Sequence, residues 1–482
     1  MKNWLIFRVR LAALFLGFFS AFVQYLLLGE FLKVWGDKEW VVGVVLFSWI
    51  FLSGTGSYFA VYFEKFKRPL QFMFYGFLLL SCAPFISWLM IHHLESVFAL
   101  NSHTINYTSL FLSLLIFSPV CLLNGILFSI VSQAFTVKLA ISGNYAIESI
   151  GTILAGLLAI LLFNVKDFTL NALLLSGLLS VGTALLIAFS SMGFIKSVIP
   201  GIVAIALLSS LWVLSYENNV NPSHYSPDKN EQSVSFPTNT LSANYSTTIS
   251  TEESFHKPVF RAQKFGFSNI TVTLKGDFFK MFSGLILPFL LIGLFIVYFR
   301  KLKTTGRSIF IAGFSCMAME LIVITLFKSS YGGTYKSSGI IFSIFMAGMV
   351  LGYRSKLSEK WNRKQSFRKI LLLVAFLSSA IFIELSIYNH SLALSLWFIL
   401  GLIISGFCFS YFTGLLITIG VQLEEGSIGK IVSSTYGADM LGASVGALLV
   451  SSFLLPLIGP HIVCLIIGTL LIISALNFSL AK

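Results

Sequence analysis

Tyr145-Ala146-Ile147-Glu148-Ser149-Ile150-Gly151 and Tyr436-Gly437-Ala438-Asp439-Met440-Leu441-Gly442 are one pattern written twice, an aromatic, an acid and a glycine at three-residue steps. A second set repeats upstream of each copy. Gln24, Gly36, Gly43 and Gly56 recur as Glu320, Gly332, Gly339 and Gly352 at one constant offset without gaps. Every member lies in or beside an apolar run. A polytopic membrane chain with two like halves usually places its working site between them. The repeat also puts acidic side chains within the lipid layer, where they are costly and are functional candidates.

Composition agrees. Of 482 residues, 56% are hydrophobic and only 11% charged, with mean hydropathy +0.89. Soluble domains carry about 25% charged residues. The apolar excess falls into many runs of roughly 20 residues, each long enough to span a bilayer. The net charge of +13 sits in short loops between those runs, so it reads as an orienting signal and not as a nucleic-acid surface. The five cysteines (Cys82, Cys121, Cys316, Cys408, Cys464) lie in apolar runs without metal spacing and read as small packing residues. The first apolar run follows Arg8 and Arg10 but lacks a small-residue cleavage site, so it reads as a retained helix.

The runs predict an all-α polytopic membrane protein of about fourteen transmembrane helices: two parallel six-helix repeats plus two linker helices. Residues 1–192 form the first repeat and 193–215 linker helix 7. Residues 216–280 form a polar extracytoplasmic segment, 281–303 linker helix 8, and 304–482 the second repeat. The polar segment is Ser-, Asn-, Thr- and Pro-rich at first, then alternates through Asn269–Leu274, which allows a short strand. Basic residues cluster after spans two, eight and ten (Lys65 to Arg68, Arg300 to Arg307, Arg354 to Lys369), while loops 93–106 and 389–391 carry almost none. By the positive-inside rule, both termini are cytoplasmic. Sequons at Asn106, Asn244, Asn269 and Asn389 read as chance matches.

Four residues are candidates for a substrate or proton site. Glu320 falls near the middle of its run, where an isolated carboxylate costs several kcal/mol, so it must be neutral, paired or water-facing. It reads either as a proton or cation site between the halves or as a neutral packing residue that hydrogen-bonds a neighbouring helix. Gln24, its equivalent, cannot titrate. Glu148 and Asp439 start their helices, where an acid complements the helix dipole; they read as helix-start acids or as gating carboxylates. The glycines Gly151, Gly442, Gly446, Gly56 and Gly352 read as helix-packing positions, with Gly151 to Ala155 and Gly442 to Gly446 on one face of a helix. Glu30 and Glu384 read as interfacial. His92 and His93 point to different faces and make a poor metal site. No catalytic set, cofactor loop or metal cluster is visible, so the chain reads as a non-enzyme without cofactor or metal.

Two resemblances follow. Gly56 to Arg68 and Gly348-x-x-x-Gly352-Tyr353-Arg354 loosely resemble the cytoplasmic loop motif of major facilitator transporters, but lack its Asp. The stretches Phe19–Gln24, Ala312–Glu320 and Tyr436–Gly446 resemble the membrane region of bacterial spermidine-synthase-like proteins, in which major-facilitator-like spans are fused to an aminopropyltransferase domain. The likeness covers roughly 11–190 and 308–481. Here no such enzymatic domain is present, since 216–280 is too short and lacks a Gly-rich loop. The resemblance implies a multi-pass protein of a bacterial cytoplasmic membrane. Its function is expected to be carriage or export of a small polar or cationic solute, including a polyamine. The alternative is a membrane scaffold for a separate soluble enzyme partner. Expected partners are the lipid bilayer and that solute, with no nucleic acid.

Overall fold

The computed structural model describes residues 2–35, 39–65, 69–98, 105–134, 138–162, 168–188, 194–220, 287–331, 335–355, 363–388 and 396–480. The described residues are helical almost throughout. A chain in lipid must satisfy its backbone polar groups internally, and a helix does so within each segment. In chain order the helices are α1 (Lys2–Trp35), α2 (Glu39–Phe59), α3 (Pro69–Phe98), α4 (Ile105–Gln133), α5 (Lys138–Leu162), α6 (Phe168–Ala188) and α7 (Phe194–Val220). After them come α8 (Leu287–Lys301), α9 (Thr304–Tyr331), α10 (Tyr335–Arg354), α11 (Arg363–Tyr388), α12 (Leu396–Leu423), α13 (Ile428–Leu449) and α14 (Leu455–Leu480). A short 3₁₀ turn, Ala60–Lys65, ends α2, and a π-turn, Val450–Leu454, joins α13 to α14.

Nine stretches among the described residues are long and apolar enough to cross a membrane. Counted as unbroken helices there are thirteen, because α13 and α14 run together as Ile428–Leu480. The expected fourteen spans are therefore not matched one for one. α7 and α10 contribute only the shorter apolar stretches Val198–Val213 and Gly339–Arg354. The merged stretch of 53 residues would reach roughly 80 Å at 1.5 Å per residue, far more than a bilayer. Gly459 breaks it with a φ of 74° ahead of Pro460. That left-handed backbone suits only glycine without strain, and it lets the chain turn.

Helix pairing repeats. In the first set, α1 packs on α5, α2 on α4, and α3 on α4 and α6. In the second, α9 packs on α13, α10 on α12, and α11 on α12 and α14. The two sets meet through α2 against α13 and α5 against α10. Large phenylalanines, among them Phe19, Phe77, Phe117, Phe345 and Phe409, fill the interior. Leucines and isoleucines such as Leu161, Leu207, Ile404 and Leu457 remain on the outside, as a lipid-facing surface requires. α7 packs on α3 and α6. α8 lies across the boundary between the sets: Phe295 touches Phe51 of α2 and Phe310 of α9. The Arg307 guanidinium donates to the carbonyls of Phe299 and Arg300, capping the end of α8.

The glycines expected to pack do so, and in equivalent places. A Cβ on Gly151 would strike the Leu14 carbonyl of α1, and one on Gly442 the Phe310 carbonyl of α9. The seams are reciprocal, because Gly17 of α1 meets the Glu148 backbone and Gly313 of α9 meets the Asp439 backbone. Gly446 sits against the Phe314 carbonyl. Gly56 and Gly352 close the α2–α4 and α10–α12 pairs against the carbonyls of Leu122 and Tyr411. Gly36, Gly332 and most of 216–280, including the Asn269–Leu274 run, lie outside the described residues.

These contacts predict a contrast. Gly442→Ala and Gly151→Ala must push two helix backbones apart and should cost about 1–3 kcal/mol each. Gly182→Ala, whose Cβ would meet nothing within 4 Å, should be neutral or stabilising by up to about 1 kcal/mol. Thermal midpoints of the purified variants check the order.

Candidate functional site

The site begins at the glycine seams. Because α5 lies backbone to backbone on α1 at Gly17, and α13 on α9 at Gly313, the two acids at those points are held by main chain on both sides. Asp439 is buried and Glu148 half-buried. Neither sits in the first turn of its helix: Glu148 is ten residues beyond Lys138, and Asp439 eleven beyond Ile428. The helix-start reading is thus corrected. The N-cap of α13 is Ser427, whose hydroxyl accepts from the Lys430 amide.

Tyrosines from both sets of helices surround these acids. The Tyr436 hydroxyl of α13 donates to Glu148 Oε1 of α5 at 3.4 Å, crossing between the sets. Tyr145 and Tyr436, the aromatic members of the repeated motif, have ring centroids 5.4 Å apart. Tyr353 of α10 lies 5.3 Å from Tyr145, and Phe128 of α4 stacks on Tyr436 at 4.0 Å. Tyr145 and Thr435 hydroxyls are 3.5 Å apart, at the limit of a hydrogen bond. The result is an aromatic plug built from α4, α5, α10 and α13. It lies toward the bundle end where α10 finishes at Arg354, beside the predicted basic loops.

Glu320 occupies a second layer. It is 4% exposed in the body of α9, and no hydrogen bond or ion pair holds its carboxyl among the described residues. It interacts electrostatically with the Tyr25 hydroxyl of α1 and with Cys316 one turn away. Cys316 in turn interacts with Asp439, and Asp439 with Glu148. The three acids thus form a chain of neighbours from α9 through α13 to α5. Gln24 is half-buried on α1 and makes no hydrogen bond among the described residues. Below it, Asn124 Nδ2 of α4 donates to the Ser20 hydroxyl at 3.1 Å, and Asn124 Oδ1 is buried without a partner.

No cation answers these three acids. The ion pairs among the described residues are Glu30 with Lys33 (2.7 Å) and His92 (3.5 Å), and Glu424 with Lys303 (3.9 Å). Glu30 also accepts from Thr169 at 2.9 Å; near the end of α1 it is a buried tie among α1, α3 and α6. Glu384 is half-buried against Gly401 of α12. Among the described residues no group of three His, Cys, Asp or Glu could hold a metal.

Sequence reasoning missed Tyr25, Ser343, Tyr353 and Cys316. Tyr25 neighbours Gln24 of the repeat, which was a usable signal. Ser57 stands at the position equivalent to Tyr353 and Phe47 at that of Ser343, so the repeat could not point to them.

One hydrogen bond across the sets is open to test. Tyr436→Phe removes the donor to Glu148 and should lower stability by about 0.5–1.5 kcal/mol. In a double-mutant cycle with Glu148→Gln the two effects should be non-additive, read from thermal midpoints.

No protein-family model matches the chain, and no curated protein does. Among solved structures it is similar to the human organic anion transporter MFSD10 (TETRAN), at 13% identity and TM-score 0.51, over 98% of this chain and 99% of that one. It is similar to a bacterial homologue of the iron transporter ferroportin, solved outward-facing with soaked iron, at 11% identity and TM-score 0.53 over 98% of each chain. A D-xylose–proton symporter gives 12% identity and TM-score 0.50 over 98% of this chain and 97% of that one. All three are named for transport, and at such identities the likeness is one of fold: this chain shares their multi-pass helical fold.

Proposed function

We propose that the protein is a membrane carrier that moves a small cationic solute by alternating access. The observation that carries this reading is the electrostatic imbalance at the interface: Glu320 and Asp439 are buried and Glu148 half-buried, with no cationic partner among the described residues. A buried carboxylate without a counter-charge is strongly disfavoured. The imbalance is relieved when a positive solute or protons occupy the site.

The repeated pairing of helices supports two parallel six-helix halves rocking about α2–α13 and α5–α10, with α7 and α8 as linker helices and fourteen crossings in all. The aromatic plug of Tyr145, Tyr353, Tyr436 and Phe128 is the barrier on the basic side, which the positive-inside rule assigns to the cytoplasm of a bacterial inner membrane. Proteins of this fold carry anions, metal ions and sugars by their names alone, so the fold leaves the solute open and the buried charge selects it.

Counterflow in proteoliposomes with panels of organic cations, anions and sugars tests the reading. Uptake should be confined to cations, and Glu320→Gln should reduce it at least tenfold. Uptake restricted to anions or neutral solutes would overturn it, as would cation uptake indifferent to Glu320→Gln, Glu148→Gln and Asp439→Asn together.

A further inference from the structure

Two buried hydroxyls have no hydrogen-bond partner and lie at one place between the sets of helices. They are Tyr25 Oη of α1 and Ser343 Oγ of α10. Both lie close to the point where a Cβ would stand on Gly156 of α5, at 3.7 and 2.6 Å. The missing side chain of Gly156 therefore lets α1 and α10 bring both hydroxyls close to the α5 backbone. The Tyr25 ring is held by an edge contact with Phe342, centroids 6.1 Å apart. Glu320 of α9 completes the set through its electrostatic interaction with Tyr25. Buried polar atoms without partners in a native structure call for an explanation.

We propose that Tyr25, Ser343 and Glu320 form a binding subsite for a primary ammonium group. Three oxygens, one of them on a carboxyl, gather here with no competing cation among the described residues, and an ammonium brings three N–H donors and the opposite charge. A bare alkali ion fits less well. Hard cations gather many oxygens, often from backbone carbonyls, and sites that offer such carbonyls in membrane carriers use broken helices. Here α1, α9 and α10 run through the site without a break, so their carbonyls are engaged within the helices. The close packing at Gly156 favours a slim head group over a branched one. Because Tyr25 comes from one set of helices and Ser343 and Glu320 from the other, the bound group would tie the two together. The subsite deepens the cation-carrier reading and rests on it for its role in transport, though its occupancy is measured without transport.

The test is calorimetric titration of the whole purified protein with methylammonium and butylammonium, beside tetramethylammonium, sodium and potassium. Binding of a primary ammonium is expected, with tetramethylammonium, which has no N–H, at least tenfold weaker. Tyr25→Phe and Ser343→Ala should each weaken it severalfold and Glu320→Gln tenfold or more. Gly156→Ala should weaken it by displacing the Ser343 hydroxyl. Tyr25→Phe changes only one oxygen, so it keeps the test decisive if another variant misfolds. No binding of either primary amine would overturn the proposal. So would equal binding of tetramethylammonium, sodium or potassium, or a Tyr25→Phe variant that binds like the parent. Counterflow on the same preparations separates the two readings. Amine binding without any uptake overturns the carrier and keeps the subsite. Cation uptake unchanged by Tyr25→Phe and Ser343→Ala does the reverse.

Discussion

Everything at the centre of this protein depends on two helix pairs lying backbone to backbone, α5 on α1 and α13 on α9. The contact is possible only because Gly17, Gly151, Gly313 and Gly442 present no side chain. In lipid there is little hydrophobic drive between helices, so close packing and interhelical hydrogen bonds must supply cohesion. The same closeness fixes Glu148 and Asp439, whose own backbones are the contacted surfaces. Packing and chemistry therefore share residues, and the carboxyls sit on the stiffest part of the scaffold.

The halves are alike in packing but not in polar chemistry. Tyr145 and Tyr436 meet each other, as do Glu148 and the Tyr436 hydroxyl, so the layer near the basic end brings the matched motif residues together. One layer along, the match fails. Glu320 answers to Gln24, Ser343 to Phe47 and Cys316 to Ser20. Ionisable and hydroxyl groups gather on the second set of helices, and the first supplies Tyr25. A duplicated frame has been kept for its geometry while one layer has lost its symmetry.

This division governs what could be read without coordinates. Membrane class, the repeat and the packing glycines were legible because period and composition carry them: Gly151 and Gly442 meet the neighbours that a small-residue face implies. Glu320 was legible because a carboxyl within an apolar run is conspicuous. The partners of these acids were not, since Tyr25, Ser343 and Tyr353 are ordinary residues whose meaning comes from which helix lies opposite. Glu148 was read too near its helix start because the onset of α5 at Lys138 has no strong cap signal. The last two crossings were read as separate spans, and the π-turn Val450–Leu454 and Gly459, with its left-handed backbone, mark the division in a helical trace that otherwise runs on.

α8 gives the molecule a front and a back as seen from the surrounding lipid. Its aromatic face, with Phe295 and Phe299 against Phe310 and with Phe295 and Tyr298 against Phe51 and Tyr58, bridges α2 and α9. α7 lies elsewhere, on α3 and α6. A molecule dissolved in the hydrocarbon layer would meet, on that flank, a helix that belongs to neither set. Aromatic rings of α8 thus stand against both α2 and α9 on one side of the molecule, and α7 leaves that side to it.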